Sequence, residues 1–387
     1  MIAYKTGWLY NQFVKEQADE AFRKGDISTE EKAGIHLSHP SALYTPNFFI
    51  RIGLLLLTLV VAIFSFGLMS ITINEFIFRT LTSMLITYGL MAYTALELII
   101  RNKLHYHSGV DDALLWTSAI LVFNGIAYNF PASSEFLYLV AFFIALYCTI
   151  RFTNSLMALC AFLAMAYFVF VTCNNIGGIF KTIVPFVLMA LAAFTYFFNR
   201  SLQQKEKLFH YRHCFTMVEI AALISFYIAG NYFVVRELSN LMFDLNLQEG
   251  QSIPFGPLFW VFTIVIPAAY LFIGLKRKDI IMVRCGLVLV AATVCTIRHY
   301  YHVMPIETAM VICGIVLIGV TYALIRYLHA PKHGYTYEEG QPGGPIALAQ
   351  IESLVIAETM ATQPAQEPAT RLGGGSFGGA GAGGDFN

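Results

Sequence analysis

Charge is the first thing this sequence lacks. Asp, Glu, Lys and Arg make up 12% of its 387 residues, about half of the roughly 25% usual in soluble domains. A soluble chain of this length needs far more charge to cover its surface. The two signs also cancel, with 24 basic and 24 acidic residues, so net charge points to neither nucleic acid nor an acidic partner. Cysteine is present but unpatterned: Cys148, Cys160, Cys173, Cys214, Cys285, Cys295 and Cys313 include no CxxC pair, and their number is odd. That excludes a disulfide scaffold or zinc finger and leaves packed, inert thiols. No cleavable leader is expected, because the first hydrophobic run begins only after about residue 47.

What is abundant is apolar residue, 57% of the chain, in repeated runs of roughly 17–25 positions, the length at which a helix crosses a bilayer. Ten such segments are expected, at 49–70, 76–100, 112–130, 134–151, 154–173, 178–198, 213–235, 256–275, 280–297 and 306–328. The fold class is therefore an all-α, polytopic transmembrane bundle of about ten spans. Several connections are a few residues long, which makes sequential spans antiparallel neighbours. With the amino terminus on the inner side, twenty of the 24 Lys and Arg residues fall inside; Arg79, Lys181, Arg236 and Arg298 fall outside. The bias of basic residues toward the cytoplasmic face then predicts both termini in the cytoplasm.

Residues 1–47 read as a cytoplasmic helical hairpin too short for a core of its own. Leu9, Phe13, Ala18 and Phe22 fall near helical spacing before Gly25, a usual helix stop, and Ser28 with Glu31 three residues on forms a capping-box pattern. Residues 48–329 hold the spans. Residues 330–387 are a glycine-rich tail too poor in apolar surface to fold alone. Within the tail, 374–378 match GxSxG and 379–384 match GxGxxG, but neither follows a strand or opens a helix, as those motifs require.

The stretch "FVKEQADEAFRKGDISTEEKAGI", followed by "FFIRIGLLLLTLVVAIFSFGL", resembles the start of a bacterial family of multi-pass membrane proteins of unknown function. In that family a G-x-I-S/T-x-E turn, here Gly25 to Glu30, precedes the first span. The segment "CTIRHYYHVMPIETAMVICGIVLIGVTYALIRYL" has the same look. The resemblance implies this architecture and a bacterial inner-membrane location; it brings no activity and no catalytic residues.

Ionisable groups within spans are the usual pointers to function. Glu75 with Arg79 and Glu97 with Arg101 are four apart in the favourable order and read as anchoring pairs near the interfaces. Glu219 and Arg284 enter from the same side to similar depths, so they are expected to meet as an intramembrane charge pair. Asn124 and Asn231, with Pro267 in the middle of the eighth span, are expected to mark a polar cavity. All ten histidines come in close pairs: His36/His39, His105/His107, His210/His213, His299/His302 and His329/His333. Their spacing suits zinc-like metals, with Asp111 and Asp112 near one pair, but no Cys or carboxylate stands at a strong ligand spacing. No metal, cofactor or catalytic residue is assigned. Arg298, His299, His302 and Glu307 read as an outer rim, with Tyr300 and Tyr301 at the headgroup level and Pro305 opening the next helix.

Three functional classes follow. A small-solute transporter or channel leads, on span count and scant extramembrane mass. A structural, assembly or sensing protein that holds partners through its cytosolic ends comes second. An intramembrane lipid enzyme comes last, because no motif supplies its nucleophile or metal. The bilayer itself is the one partner the composition requires.

Overall fold

The computed structural model describes residues 2–72, 81–128, 130, 135–243 and 253–300, with scattered helical positions between 308 and 326. Two short helices come first, α1 (Thr6–Lys24) and α2 (Thr29–Ser38). Gly25 ends α1 in the left-handed region at φ 81°, and Ser28 and Glu31 cap α2 reciprocally as a capping box. Ten further helices follow: α3 (Phe48–Thr72), α4 (Leu81–Lys103), α5 (Val110–Ala127), α6 (Glu135–Phe152), α7 (Ser155–Ile176), α8 (Ile179–Gln203), α9 (Arg212–Gly230), α10 (Tyr232–Phe243), α11 (Gly256–Arg277) and α12 (Ile280–Tyr300). A 3₁₀ turn, Glu206–Tyr211, leads into α9. Among the described residues there is no strand, only an isolated bridge between Tyr44 and His105.

Nine helices among the described residues are long and apolar enough to cross a membrane. This is an all-α, multi-pass membrane protein. The expected tenth span, 306–328, lies outside the described residues except for isolated helical positions, and the tail from 330 lies wholly outside them. The charge pair expected of Glu75 and Arg79 also falls on residues not described.

Sequential helices pack as antiparallel neighbours: α4 on α5, α6 on α7, α8 on α9 and α11 on α12. Small residues set the closest approach. A methyl group at Gly89 would stand 2.8 Å from Val122, and one at Gly125 only 2.6 Å from Ile86, so α4 and α5 touch nearly backbone to backbone. The largest apolar cluster forms around α9, where Ala222, Leu223 and Tyr227 meet Ile266, Tyr270, Met282 and Leu289. By contrast α3 leaves Leu56, Val61, Phe64 and Leu68 exposed, as suits a helix facing lipid.

The amino-terminal segment is part of this body. Ala3 donates its N–H to the Arg151 carbonyl at 2.9 Å, and Tyr4 and Leu9 are buried among Leu96, Ile100, Leu115, Cys148 and Phe152. The end of the bundle that carries α1 is called proximal below, and the other distal.

The seventh expected span, 213–235, is corrected to a broken one. Helix α9 stops at Gly230, Asn231 is extended at φ −80°, ψ 126°, and α10 starts again at Tyr232. A methyl group at Gly230 would lie 3.0 Å from Ile266 and 3.4 Å from Met189. Ile266 and Met189 are each ten positions into their helices from the distal end, and Asn231 bonds Thr296 four residues from the end of α12, so the break lies in the distal half of the bundle, roughly 6–15 Å from its end.

Candidate functional site

Polar side chains inside this bundle gather at two levels. At the proximal end ion pairs tie one helix to another. Arg51 of α3 donates to Asp112 of α5 at 2.7 Å, Asn154 donates to the other Asp112 oxygen at 3.1 Å, and His107 Nδ1 stands 3.6 Å away. The loop before α5 is shaped for this. Asp111 accepts from the N–H groups of His107 and Ser108, folding the loop back onto the helix, and Gly109 at φ 92° passes so close to α3 that an added methyl would sit 2.1 Å from the Arg51 carbonyl. Ser108 sits between His105 Nδ1 (2.7 Å) and Asp111 (2.9 Å) and is fully buried. Its proton goes to the carboxylate and no substrate reaches it, so the trio locks a loop and is not a nucleophile with its base. Beside it, burial first and the Asp111 carboxylate second raise the Tyr4 phenol well above its ordinary pKa, which keeps it a neutral hydroxyl.

Two further clasps stand at the same end. Arg151 of α6 grips both oxygens of Glu97 on α4, at 2.8 and 2.9 Å, and Tyr93 donates to the same carboxylate at 2.7 Å. The expected partner of Glu97, Arg101, is exposed instead. A cation one helix away offers two-point geometry that an i,i+4 neighbour lacks. In the third clasp Arg200 of α8 donates to Asp279, just ahead of α12, and to the Tyr196 hydroxyl, each at 2.7 Å.

Glu219, the acid expected to meet Arg284, is buried and accepts from Gln203 at 2.8 Å, with Arg200 at 3.9 Å. Arg284 is exposed and forms no such pair. The expectation is corrected: depth was matched, but the two helices turn these residues to different faces, and α12 buries Met282, Cys285 and Gly286 instead.

The second polar level surrounds the helix break. Pro267 has no N–H, so α11 leaves the Thr263 carbonyl without its helical donor. The Thr293 hydroxyl of α12 fills that gap at 3.0 Å, while also 2.9 Å from the Leu289 carbonyl. Tyr227 contacts the same hydroxyl at 3.0 Å, and Asn231 donates to Tyr227 at 2.8 Å and to Thr296 at 3.0 Å. Tyr232 N–H, the first donor of α10, reaches the Thr263 hydroxyl at 2.9 Å, and Asn231 Oδ1 caps α10 by accepting from Val234. Asn231 and Pro267 therefore meet in one buried network, packed rather than hollow. Asn124 does not join it: its side chain is exposed and donates to its own helix at the Ile120 carbonyl. Of the expected outer rim, Arg298 and His299 close α12 at the distal end, with the His299 ring 4.8 Å from Phe233. His302 and Glu307 lie outside the described residues.

Beside the break lies a groove of about 470 Å³ between α7, α8, α9 and α10. Its walls are Phe162, Ala166 and Phe170 on α7, Val184, Leu188 and Leu191 on α8, Ile228 on α9 and Val234 on α10. Among its lining residues Lys181 carries the single charge; the hydroxyls are those of Ser225, Ser239 and Tyr167. No single residue betrays such a groove in the sequence, since it is made by what four helices fail to fill. A smaller pocket of about 30 Å³ at the proximal end is bounded by Phe13, Glu16, Tyr106, Phe209 and His213.

Among the described residues no group of three or more His, Cys, Asp or Glu side chains is placed to hold a metal ion. His36 instead bonds Asp19 at 3.1 Å. No family model matches the chain, and no curated protein or solved structure is significantly similar to it.

Proposed function

We propose that this protein is a carrier for an amphipathic small molecule, which enters the groove beside the broken α9–α10 helix sideways from the bilayer. One observation carries the reading: an apolar groove of about 470 Å³ abuts a helix interrupted inside the bundle, with Pro267 within the neighbouring α11. Discontinuous helices near the bilayer midplane are where membrane carriers place their substrate sites. The apolar walls favour a lipid-like cargo over a hydrated ion, which needs converging oxygens or charge. The proximal clasps supply a fixed frame, and the break supplies a joint. Following the basic-residue bias, the proximal end faces the cytoplasm and, given a tenth span, so do both termini, in an inner membrane of the bacterial kind the sequence resemblance suggests.

A second reading, an assembly role at the cytosolic end, is favoured by α2, which buries none of its residues and leaves Leu37 exposed.

The carrier reading is tested by reconstituting the full chain in vesicles with a fluorescent lipid analogue in one leaflet. Protein-dependent redistribution between leaflets is expected, and its loss in Ala166→Phe, which fills the groove. No redistribution above protein-free vesicles would overturn the reading.

A further inference from the structure

Under Tyr4, at the proximal end, lies a cavity of about 10 Å³ bounded by Tyr4, His107, Asp111, Asp112 and Asn154. That is close to the least space that holds one water-sized particle. Its polar walls come from the segment ahead of α1, the loop before α5, the first turn of α5 and the residue that caps α7. Tyr4 is 7% exposed, yet its hydroxyl has no hydrogen-bond partner among the described residues. Asp111 and Asp112 both act on it electrostatically, so its oxygen faces the cavity that they line. A buried phenol without a partner is costly, and a particle in the cavity supplies one.

Charge narrows what that particle is. Asp111 and Asp112 are 4% and 6% exposed. Arg51 pairs with Asp112, whereas Asp111 forms no ion pair among the described residues. Its three bonds come from the His107 and Ser108 N–H groups and the Ser108 hydroxyl. With the His107 imidazole neutral, two buried carboxylates face one guanidinium. The dipole at the start of α5 offsets about half of the surplus charge. Buried charges are as a rule either paired or bound to a metal ion. A carboxylate offers about four acceptor sites, so Asp111 keeps one free and Asp112, which accepts from Arg51 and Asn154, keeps two. A water molecule in the cavity satisfies the phenol but leaves the charge. A divalent ion overshoots it, and magnesium keeps several waters for which there is no room.

We propose that this cavity binds one sodium ion, held by Asp111, Asp112 and the Tyr4 phenol oxygen, and that the ion fastens the amino-terminal segment to the bundle. Oxygen ligands suit a hard cation, where zinc-like metals need the nitrogen and sulfur donors that are not gathered here. Attraction falls with distance, so carboxylate oxygens hold sodium more tightly than the larger potassium. The site stands apart from the groove and does not depend on the carrier reading.

Thermal midpoints of the full-length protein in detergent at mildly alkaline pH, in sodium, potassium or choline chloride at one ionic strength, test this. Sodium should raise the wild-type midpoint in a saturable way, as a ligand of the folded state does, and the other two salts much less. In Tyr4→Phe, which keeps the ring and removes the oxygen, the apparent sodium dissociation constant should rise about tenfold, the worth of one contact to a charged group. Asp111→Asn should abolish the sodium response; where that variant fails to fold, Tyr4→Phe alone decides. Amide exchange of residues 3–9 should slow in sodium for wild type. Equal midpoints in sodium and choline mean that the cavity holds water alone and overturn the proposal. So does an equal response to potassium, an unchanged dissociation constant in Tyr4→Phe, or a sodium response that survives in folded Asp111→Asn. A sodium-raised midpoint with unchanged exchange at residues 3–9 overturns the fastening role.

Discussion

Replacing Thr293 with Val, alone and together with Pro267→Ala, tests whether the network at the helix break works as the geometry says. In the native protein Thr293 supplies a donor that Pro267 withholds from the Thr263 carbonyl, and it also contacts Tyr227. Removing its hydroxyl leaves a buried carbonyl and a buried phenol short of a partner. Such bonds within membranes are worth about 0.6 kcal/mol on average and up to about 1.7. Two of them put the single mutant roughly 1–2 kcal/mol below wild type. Pro267→Ala restores a backbone N–H to the Thr263 carbonyl, so the same Thr293→Val change in that background should cost about 1 kcal/mol less. The coupling is read from folded fractions in mixed-micelle unfolding of the four proteins. Additivity within about 0.5 kcal/mol, the scatter expected of independent sites, would refute the idea that Thr293 compensates for the proline.

Other outcomes follow from the proximal clasps and the first helices. Asp112→Asn should cost about 2 kcal/mol, less than the roughly 3–5 of a fully buried pair because Arg51 is 41% exposed; with Asp112→Asn present, Arg51→Gln should cost little more by thermal midpoint. Arg200→Gln should lower the midpoint by releasing Asp279 and Tyr196, whereas Arg284→Gln, at an exposed position, should stay within about 0.5 kcal/mol of wild type. Hydrogen bonds from the Ser28 backbone and then its side chain hold the Glu31 carboxyl below its ordinary pKa. A depressed carboxyl stabilises the folded state above its unfolded pKa and loses that effect as pH falls through the lower folded value. Protection of the Ser28 and Glu31 amides, relative to their intrinsic exchange rates, should therefore fall only under acid conditions, and Glu31→Gln should remove that acid dependence.

Hydropathy made the spans legible because a bilayer imposes one length on every helix that crosses it. The caps of α1 and α2 were equally plain, since Gly25, Ser28 and Glu31 act within a few residues of one another. Pairing across helices was not legible. Glu97 has a basic residue one turn along its own helix and Glu219 has one at similar depth on another, but which partner each meets depends on packing by residues far along the chain. Depth counts leave that choice open. Asn231 and Pro267 did stand out, each a polar or helix-breaking residue in an oily run, but Asn124 carried the same signal and faces outward. Thr263, Thr293 and Thr296, which complete the network, look like ordinary helix threonines until the break brings them together.

The docking of the amino-terminal helix has a consequence for biogenesis. Ala3 is tied to Arg151, and the rings of Tyr10 and Phe13 lie 5.8 and 6.0 Å from Phe209. Residues 3–13 thus receive their seats from segments synthesised much later, roughly ten to forty seconds at translation rates of about 5–20 residues per second. Until then α1 is an unseated amphipathic helix beside the translocon, open to chaperones and proteases. Its final docking records that the sixth helix and the turn before the ninth have arrived.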